Sequence, residues 1–219
     1  MSTPPSTPPS SPLSSTPRTT VGRLRERART DRDDLYAVLD AGLVCHLGLV
    51  RDGTPVVIPT GYGRLGDTLY VHGSSGARWL REGPVCATVT HLDGVVHARS
   101  VFHFSMNYRS AVVLGEARLV TAEPERTDGL RAIVEHLAPG SWGYARVPNR
   151  KEMAATTVLA LDLAEASVKV RTGPPSDDAE DITDEVWAGV VPVHTAHGAP
   201  QPDRHVPVNA PLPPHLRPS

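Results

Sequence analysis

The chain is poor in cysteine: Cys45 and Cys86 are the only two in 219 residues. Each lies inside an apolar run, "GLVCHLGLV" and "PVCATVTHL", where a cysteine behaves as a small buried hydrophobe. A disulfide framework is therefore not expected. No apolar run approaches the roughly 18–20 residues that cross a bilayer, so no membrane partner is expected. The opening "MSTPPSTPPSSPLSSTPRTT" lacks the apolar core of a secretory signal, which makes cytoplasm the expected compartment. Net charge is −2, without the basic excess of a nucleic-acid partner. Walker-type phosphate loops and zinc-spaced cysteine pairs are lacking, and His97 and His103 have no partner at i,i+4. NTPase and zinc-enzyme chemistry lose their usual signatures. "GSSG" at Gly73–Gly76 lacks the spacing of a G-x-S-x-G nucleophile elbow, so a serine hydrolase is not indicated either.

Proline is present, at 22 residues, but much of it lies before Pro17 or after Pro200. Residues 1–20 and 196–219 read as extended or disordered tails, because Pro/Ser/Thr-rich sequence cannot bury enough apolar surface to offset ordering. Residues 21–195 are the expected single domain.

Within it, residues 21–41 read as helical, with Asp31 or Asp33 as cap, Leu35, Val38 and Leu39 on one face and Gly42 as stop. Short strand-like runs follow, with Asp52-Gly53 and Asp93-Gly94 as hairpin signals. "SSGARWLREG" reads as a short helix starting at Ser74 or Ser75. "EPERTDGLRAIVEHLAPG" has Leu130, Ile133, Val134 and Leu137 at helical spacing. "ATTVLALDLAEASVKVRTGPP" closes the series as one strand or two. Short strands without a βαβ rhythm indicate a mainly β small barrel with flanking helices.

Two segments carry chemistry. In "LYVHGSSGARWL" a strand ends, two hydroxyls and a glycine follow, and a helix is expected to start. Helix-end N–H groups with Ser74 and Ser75 attract an anion, and Arg78 reaches back to it. The structural alternative is a serine cap with a surface arginine. In "VFHFSMNYRSAVV" a strand is interrupted by polar residues. Alternation places Ser105, Asn107 and Arg109 on one face, with Tyr108 and Ser110 on the other. They line a ligand that is aromatic and anionic, or a polar subunit interface. "GYGRLG" matches the dinucleotide fingerprint by letter, but Gly66 leads into a strand rather than a helix, so its glycines read as turn residues.

The segments "RARTDRDDLYAVLDAGLVCHLG", "VIPTGYGRLGDTLYVHGSSGARWL", "VTHLDGVVHARSVFHFSMNYRSAVVLGEARLV" and "KVRTGPP", in that order, resemble the pyridoxamine 5′-phosphate oxidase-like, flavin-nucleotide-binding family, including its nitroimidazole-resistance (Nim-like) branch. The resemblance spans roughly Arg23 to Val193. It implies an FMN-binding split β-barrel that forms a homodimer, with FMN at the subunit interface. His72, Ser74, Ser75 and Arg78 would lie near the flavin phosphate. Pro59, Thr60 and Tyr62 would lie along the ring or ribityl chain, and Asn107, Tyr108, Arg109 and Ser110 would line the same cleft. Ala77 stands where the family often has a second serine, and the lysine-rich features of vitamin B6 synthesis are missing. In the Nim-like branch the histidine ending this strand, here His72, is a candidate axial ligand for haem, with His103 either on the distal side or filling a polar gap. The resulting expectation is an FMN-dependent oxidoreductase acting on a small molecule. Tyr62, His103 and Tyr108 are its candidate proton donors by side-chain type. The alternatives are a haem enzyme on the same barrel and a flavin- or haem-binding sensor or storage protein.

Overall fold

The computed structural model describes residues 12–13, 16–77, 79–182, 185–207 and 209–216. Strands β2 (Val44–Arg51), β3 (Thr54–Leu65), β4 (Thr68–Ser74), β7 (Thr156–Asp162), β6 (Ser105–Leu119) and β5 (Gly83–His97) pair antiparallel in that order, and β5 pairs back onto β2. The ring is closed, as the small-barrel reading expects. Short strand β8 (Ala166–Arg171) pairs with β6, and β1 (Ala28–Arg29) pairs with β8. β9 (Gly189–Pro192) pairs with the end of β5.

Alternation along each strand divides the wall into two faces. Cys45, Leu47, Ala87, Val89, Ala111, Val113 and Val168 point inward and are buried together. Helix α1 (Arg32–Ala41) adds Leu35, Val38 and Leu39 to that core, with Asp31 at its N-cap position and Gly42 at its end. Residues 21–31 do not continue this helix; they form a 3-10 turn at Arg25–Arg27 and the β1 strand.

A second core lies outside the barrel. Tyr70, Val158 and Ala160 face outward from β4 and β7 and are covered by Leu130 and Ile133 of α2 (Glu123–Leu137). Gly61 and Gly63 permit this approach. A Cβ on Gly63 would stand 2.4 Å from the backbone of Ala132 and Ile133. Those two glycines of "GYGRLG" are therefore strand residues beneath a helix, not turn residues; only Gly66, with φ +58, turns the chain.

Two other expectations change. Asp52 (φ 49) and Gly53 (φ 77) form the tight β2–β3 turn, as expected. Asp93-Gly94, by contrast, is a bulge inside a continuous β5. Gly94 is needed there because β9 passes so closely that a Cβ would meet Val190 at 2.9 Å. The second change concerns the ends. Thr16 and Arg18 bond Glu165, and His215 lies 4.9 Å from the Tyr144 ring, so both expected tails touch the domain.

Short helix α3 (Arg150–Ala154) has a reciprocal cap between Asn149 and Glu152. Arg146 and the Asn149 N–H hold the Glu152 carboxyl down at about 2, against an ordinary 4.5. A depressed carboxylate stabilises above its ordinary value and loses that contribution as pH falls through the folded value. Protection of the Arg150–Ala154 amides, relative to an unstructured peptide at the same pH, should therefore fall on acidification from about 4.5 towards about 2. Unchanged protection across that range would remove Glu152 from the cap.

Candidate functional site

The outward residues of β3, β2, β5, β6 and β8 form rows across one broad face. Register places Pro59 beside His46, then Thr88, Val112 and Ser167. An adjacent row runs Val57, Gly48, Cys86 and Leu114. Ser110 lies between Thr90 and Lys169, and Tyr108 between Leu92 and Arg171. No carboxylate occupies these positions. Val44, Val50, Val57 and Leu92 are exposed on it, Val57 by 64%. Such a run of exposed apolar side chains on a barrel wall without carboxylates marks a binding or subunit surface.

The expected site residues divide between the two sides of this wall. Pro59, Tyr108 and Ser110 face outward onto it. Thr60 lies opposite buried Cys45, and its hydroxyl bonds the Gly61 carbonyl. Tyr62 is fully buried and donates its hydroxyl to the Leu39 carbonyl. Burial pushes its phenol well above the usual range. Tyr62 is thus a core residue and has no proton to give a ligand on this face. Asn107 and Arg109 share the side opposite Tyr108, as alternation requires. Asn107 is buried against Arg171 and the Gly173 carbonyl. Arg109 makes a two-pronged pair with Asp93, at 3.0 and 2.9 Å, which holds the aspartate below the usual carboxylate range. His103 faces Asp178 at 3.3 Å and, with Asp181, forms a cluster whose ligand atoms lie within 4.8 Å of one another. It belongs to that loop rather than to the outer face.

His72 lies opposite Val158, two residues before β4 ends at Ser74, at the border of the helix-covered part of the wall. Its ring touches solvent, yet the surrounding protein desolvates it and holds its pKa below the ordinary histidine value. A neutral imidazole at a surface is the form that coordinates iron. The next residues do not start a helix. Ser74 accepts from the Gly76 N–H, Ser75 donates its N–H to the Ala155 carbonyl, and turns carry the chain onward. Leu80 enters the barrel core and β5 begins at Gly83, with turn bonds from Ala77 N–H to Ser74 and from Leu80 N–H to Ala77 on the way. The helix-end argument for a phosphate at Ser74 and Ser75 therefore fails, although both residues are exposed. Arg78 lies outside the described residues.

The geometry suits flat redox groups: a bed without carboxylates, with hydroxyls on Thr88, Thr90, Ser110 and Tyr108, and an imidazole at its border. Sequence reasoning missed Val44, Val57, Thr88, Thr90 and Leu92, although uncharged outward positions along β2, β3 and β5 were there to be read.

Residues 31–170 match the pyridoxamine 5′-phosphate oxidase family. The flavocytochrome Anf3 of Azotobacter vinelandii is 42% identical, with a TM-score of 0.86 over 92% of this chain and 95% of that one. The FAD and haem binding protein of Mycobacterium smegmatis is also 42% identical, with a TM-score of 0.83 over 87% and 95% of the two chains. A protein from Bacteroides thetaiotaomicron, linked by its description to 5-nitroimidazole resistance, shares the fold at 20% identity, with a TM-score of 0.56 over 65% and 86%. No curated protein sequence matches significantly. Among the described residues no helix is long and apolar enough to cross a membrane. The chain belongs to the pyridoxamine 5′-phosphate oxidase-like family of flavin-binding split barrels.

Proposed function

We propose that this protein is a redox protein holding a flavin and a haem together, rather than one or the other. The observation that carries the reading is the 42% identity, over about nine-tenths of the chain, to two solved proteins described as a flavocytochrome and as an FAD and haem binding protein. FAD is the flavin form named for the second of these, which favours FAD over FMN in this reading. When bound, the flavin supplies two-electron and one-electron exchange, and the haem supplies one-electron exchange. The chain supplies the binding surfaces. The outer wall would take the flat flavin ring between apolar Val44, Val57 and Leu92 and the hydroxyls of Thr88, Thr90 and Ser110. His72 would hold the haem iron. Tyr108 is the remaining proton-donor candidate on this wall, since Tyr62 is committed to Leu39 and His103 to Asp178.

The absorption spectrum of the purified protein tests this directly. A Soret band together with flavin bands, and FAD released by acid, is the expected result. A protein that stays colourless after reconstitution with FAD and haem would sink the reading. Anaerobic addition of NADH or NADPH then separates a turning-over oxidoreductase from a sensor or store: bleaching of the flavin followed by reoxidation with an acceptor is expected.

The exposed apolar wall further supports a homodimer built face to face. Val57→Arg adds a charge there while the side chain remains largely in water, so the barrel itself should lose no more than about 0.5 kcal/mol. Light scattering should show a dimer for the natural chain and a monomer for V57R. A V57R dimer of unchanged affinity would show that the chain pairs elsewhere.

A further inference from the structure

His103, Asp178 and Asp181 bring three ligating atoms within 4.8 Å of one another. The donors are one imidazole nitrogen and two carboxylate oxygens. His103 and Asp178 are 75 residues apart in the chain. The histidine arrives from the turn before β6, and the aspartates from the segment beyond β8. His103 ends a 3-10 turn, Val101–His103, in which its own N–H donates to the Ser100 carbonyl at 3.0 Å and the Phe102 N–H donates to the Ser100 hydroxyl at 3.3 Å. Asp181 ends a second 3-10 turn, Ala179–Asp181, and its N–H donates to the Asp178 carbonyl at 3.0 Å. The buried Asp177 side chain clamps the two segments together. It accepts the Arg99 N–H at 2.8 Å and a guanidinium N–H of the same residue at 2.9 Å.

Charge and spacing both point to a cation. Among the described residues the sole ion-pair partner of Asp178 is His103, and the Asp181 carboxylate has none. Two carboxylates this close repel one another unless a positive charge sits between them. His103 Nε2 stands 3.3 Å from Asp178 Oδ2, longer than the roughly 2.7–2.9 Å of a charge-assisted N–H···O bond. That spacing matches the separation of two ligand atoms on a tetrahedral zinc ion, about 3.3 Å for bonds of about 2.0–2.1 Å. Rotation of the Asp181 carboxylate about its own torsions closes the remaining distance.

We propose that His103, Asp178 and Asp181 form a zinc site that ties the Val101–His103 turn to the segment beyond β8. An imidazole with two carboxylates suits zinc, whereas magnesium and calcium take oxygen ligands throughout. Three protein ligands leave the fourth position to water. Val101 and Phe102 are the most exposed large apolar side chains among the described residues, at 88% and 86%, and they ride on the turn that the ion holds. The site shares no residue with the outer wall or with His72, so it stands whether or not the wall holds a flavin.

The test uses the full chain as purified, stripped of loose metal with EDTA, and compares zinc chloride with magnesium chloride. At a tenfold excess over Kd, zinc should raise the melting temperature by about 4 °C, and magnesium should not. Asp181→Asn and His103→Gln should abolish the rise. His205→Gln, in the exposed C-terminal segment, should keep it. Chymotrypsin supplies a second measurement on the natural chain, independent of any variant: zinc should slow cleavage after Phe102 severalfold, because the ion holds that turn closed against local opening. A zinc response that persists in D181N and H103Q would place the ion on another histidine and overturn the proposal. No response in the natural protein, an equal response to magnesium, or cleavage after Phe102 that zinc does not slow would overturn it as well.

Discussion

Purified His72→Ala protein is expected to lack the Soret band and to keep its flavin bands. The imidazole stands at the last outward position of β4 before the Ser74–Ala77 turn, with solvent on one side and the Val158-containing core on the other. No hydrogen bond to a described residue constrains its ring nitrogens. Removing it therefore leaves no orphaned partner, and the barrel should keep its stability to within about 0.5 kcal/mol. Loss of haem would then be a loss of the iron–nitrogen bond and not of the fold. Restoration of the Soret band by free imidazole added to H72A would confirm the cavity left by the ring. A band that survives in H72A moves the ligand elsewhere. His97 is then the first residue to try, since its ring stands among aromatic rings, 5.2 Å from Phe104 and 5.7 Å from Trp187.

Much of the fold was legible because its signals are local. Asp31, the Leu35/Val38/Leu39 spacing and Gly42 define α1 without reference to the rest of the chain. Asp52-Gly53 defines a turn because both residues must adopt positive φ. The failures all involve partners distant in sequence. Asp93-Gly94 has the same letters as a hairpin, but β9, a hundred residues later, uses Gly94 for close approach, and Arg109 takes the Asp93 carboxylate. Gly61 and Gly63 look like punctuation until α2 is laid across them. "SSGARWL" has helical composition, yet Leu80 is drawn into the barrel and the chain turns instead. The site was legible as polarity and not as geometry. "FHFSMNYRS" announced a ligand or an interface, and the strand faces then divided it. Tyr108 and Ser110 remain on the wall, whereas Asn107 and Arg109 are committed to protein partners.

Gly63→Ala should produce the largest loss of stability of any single methyl addition proposed for this protein. The new Cβ would fall 2.4 Å from the carbonyl carbon and oxygen of Ala132 and from the Ile133 nitrogen. Those are backbone atoms in the middle of α2, so no rotamer change relieves the clash; the helix or the strand must move. Movement costs twice. It separates Ile133 and Leu130 from Tyr70 and Val158, and it disturbs β4, which carries His72. Overpacking without a flexible neighbour lies at the upper end of the usual range, about 3 kcal/mol. Gly61→Ala supplies the control two residues away on the same face. There the Cβ meets Leu137 Cδ1 at 3.1 Å, the tip of a half-exposed side chain that can swing aside, so the cost should remain below about 1 kcal/mol. Urea unfolding of both variants measures the difference. Because α2 braces the wall beside the imidazole, G63A should also bind haem weakly while G61A binds it normally. Equal stability of the two variants would mean that α2 does not rest on the backbone of β3 at Gly63, and the brace behind His72 would have to be sought elsewhere.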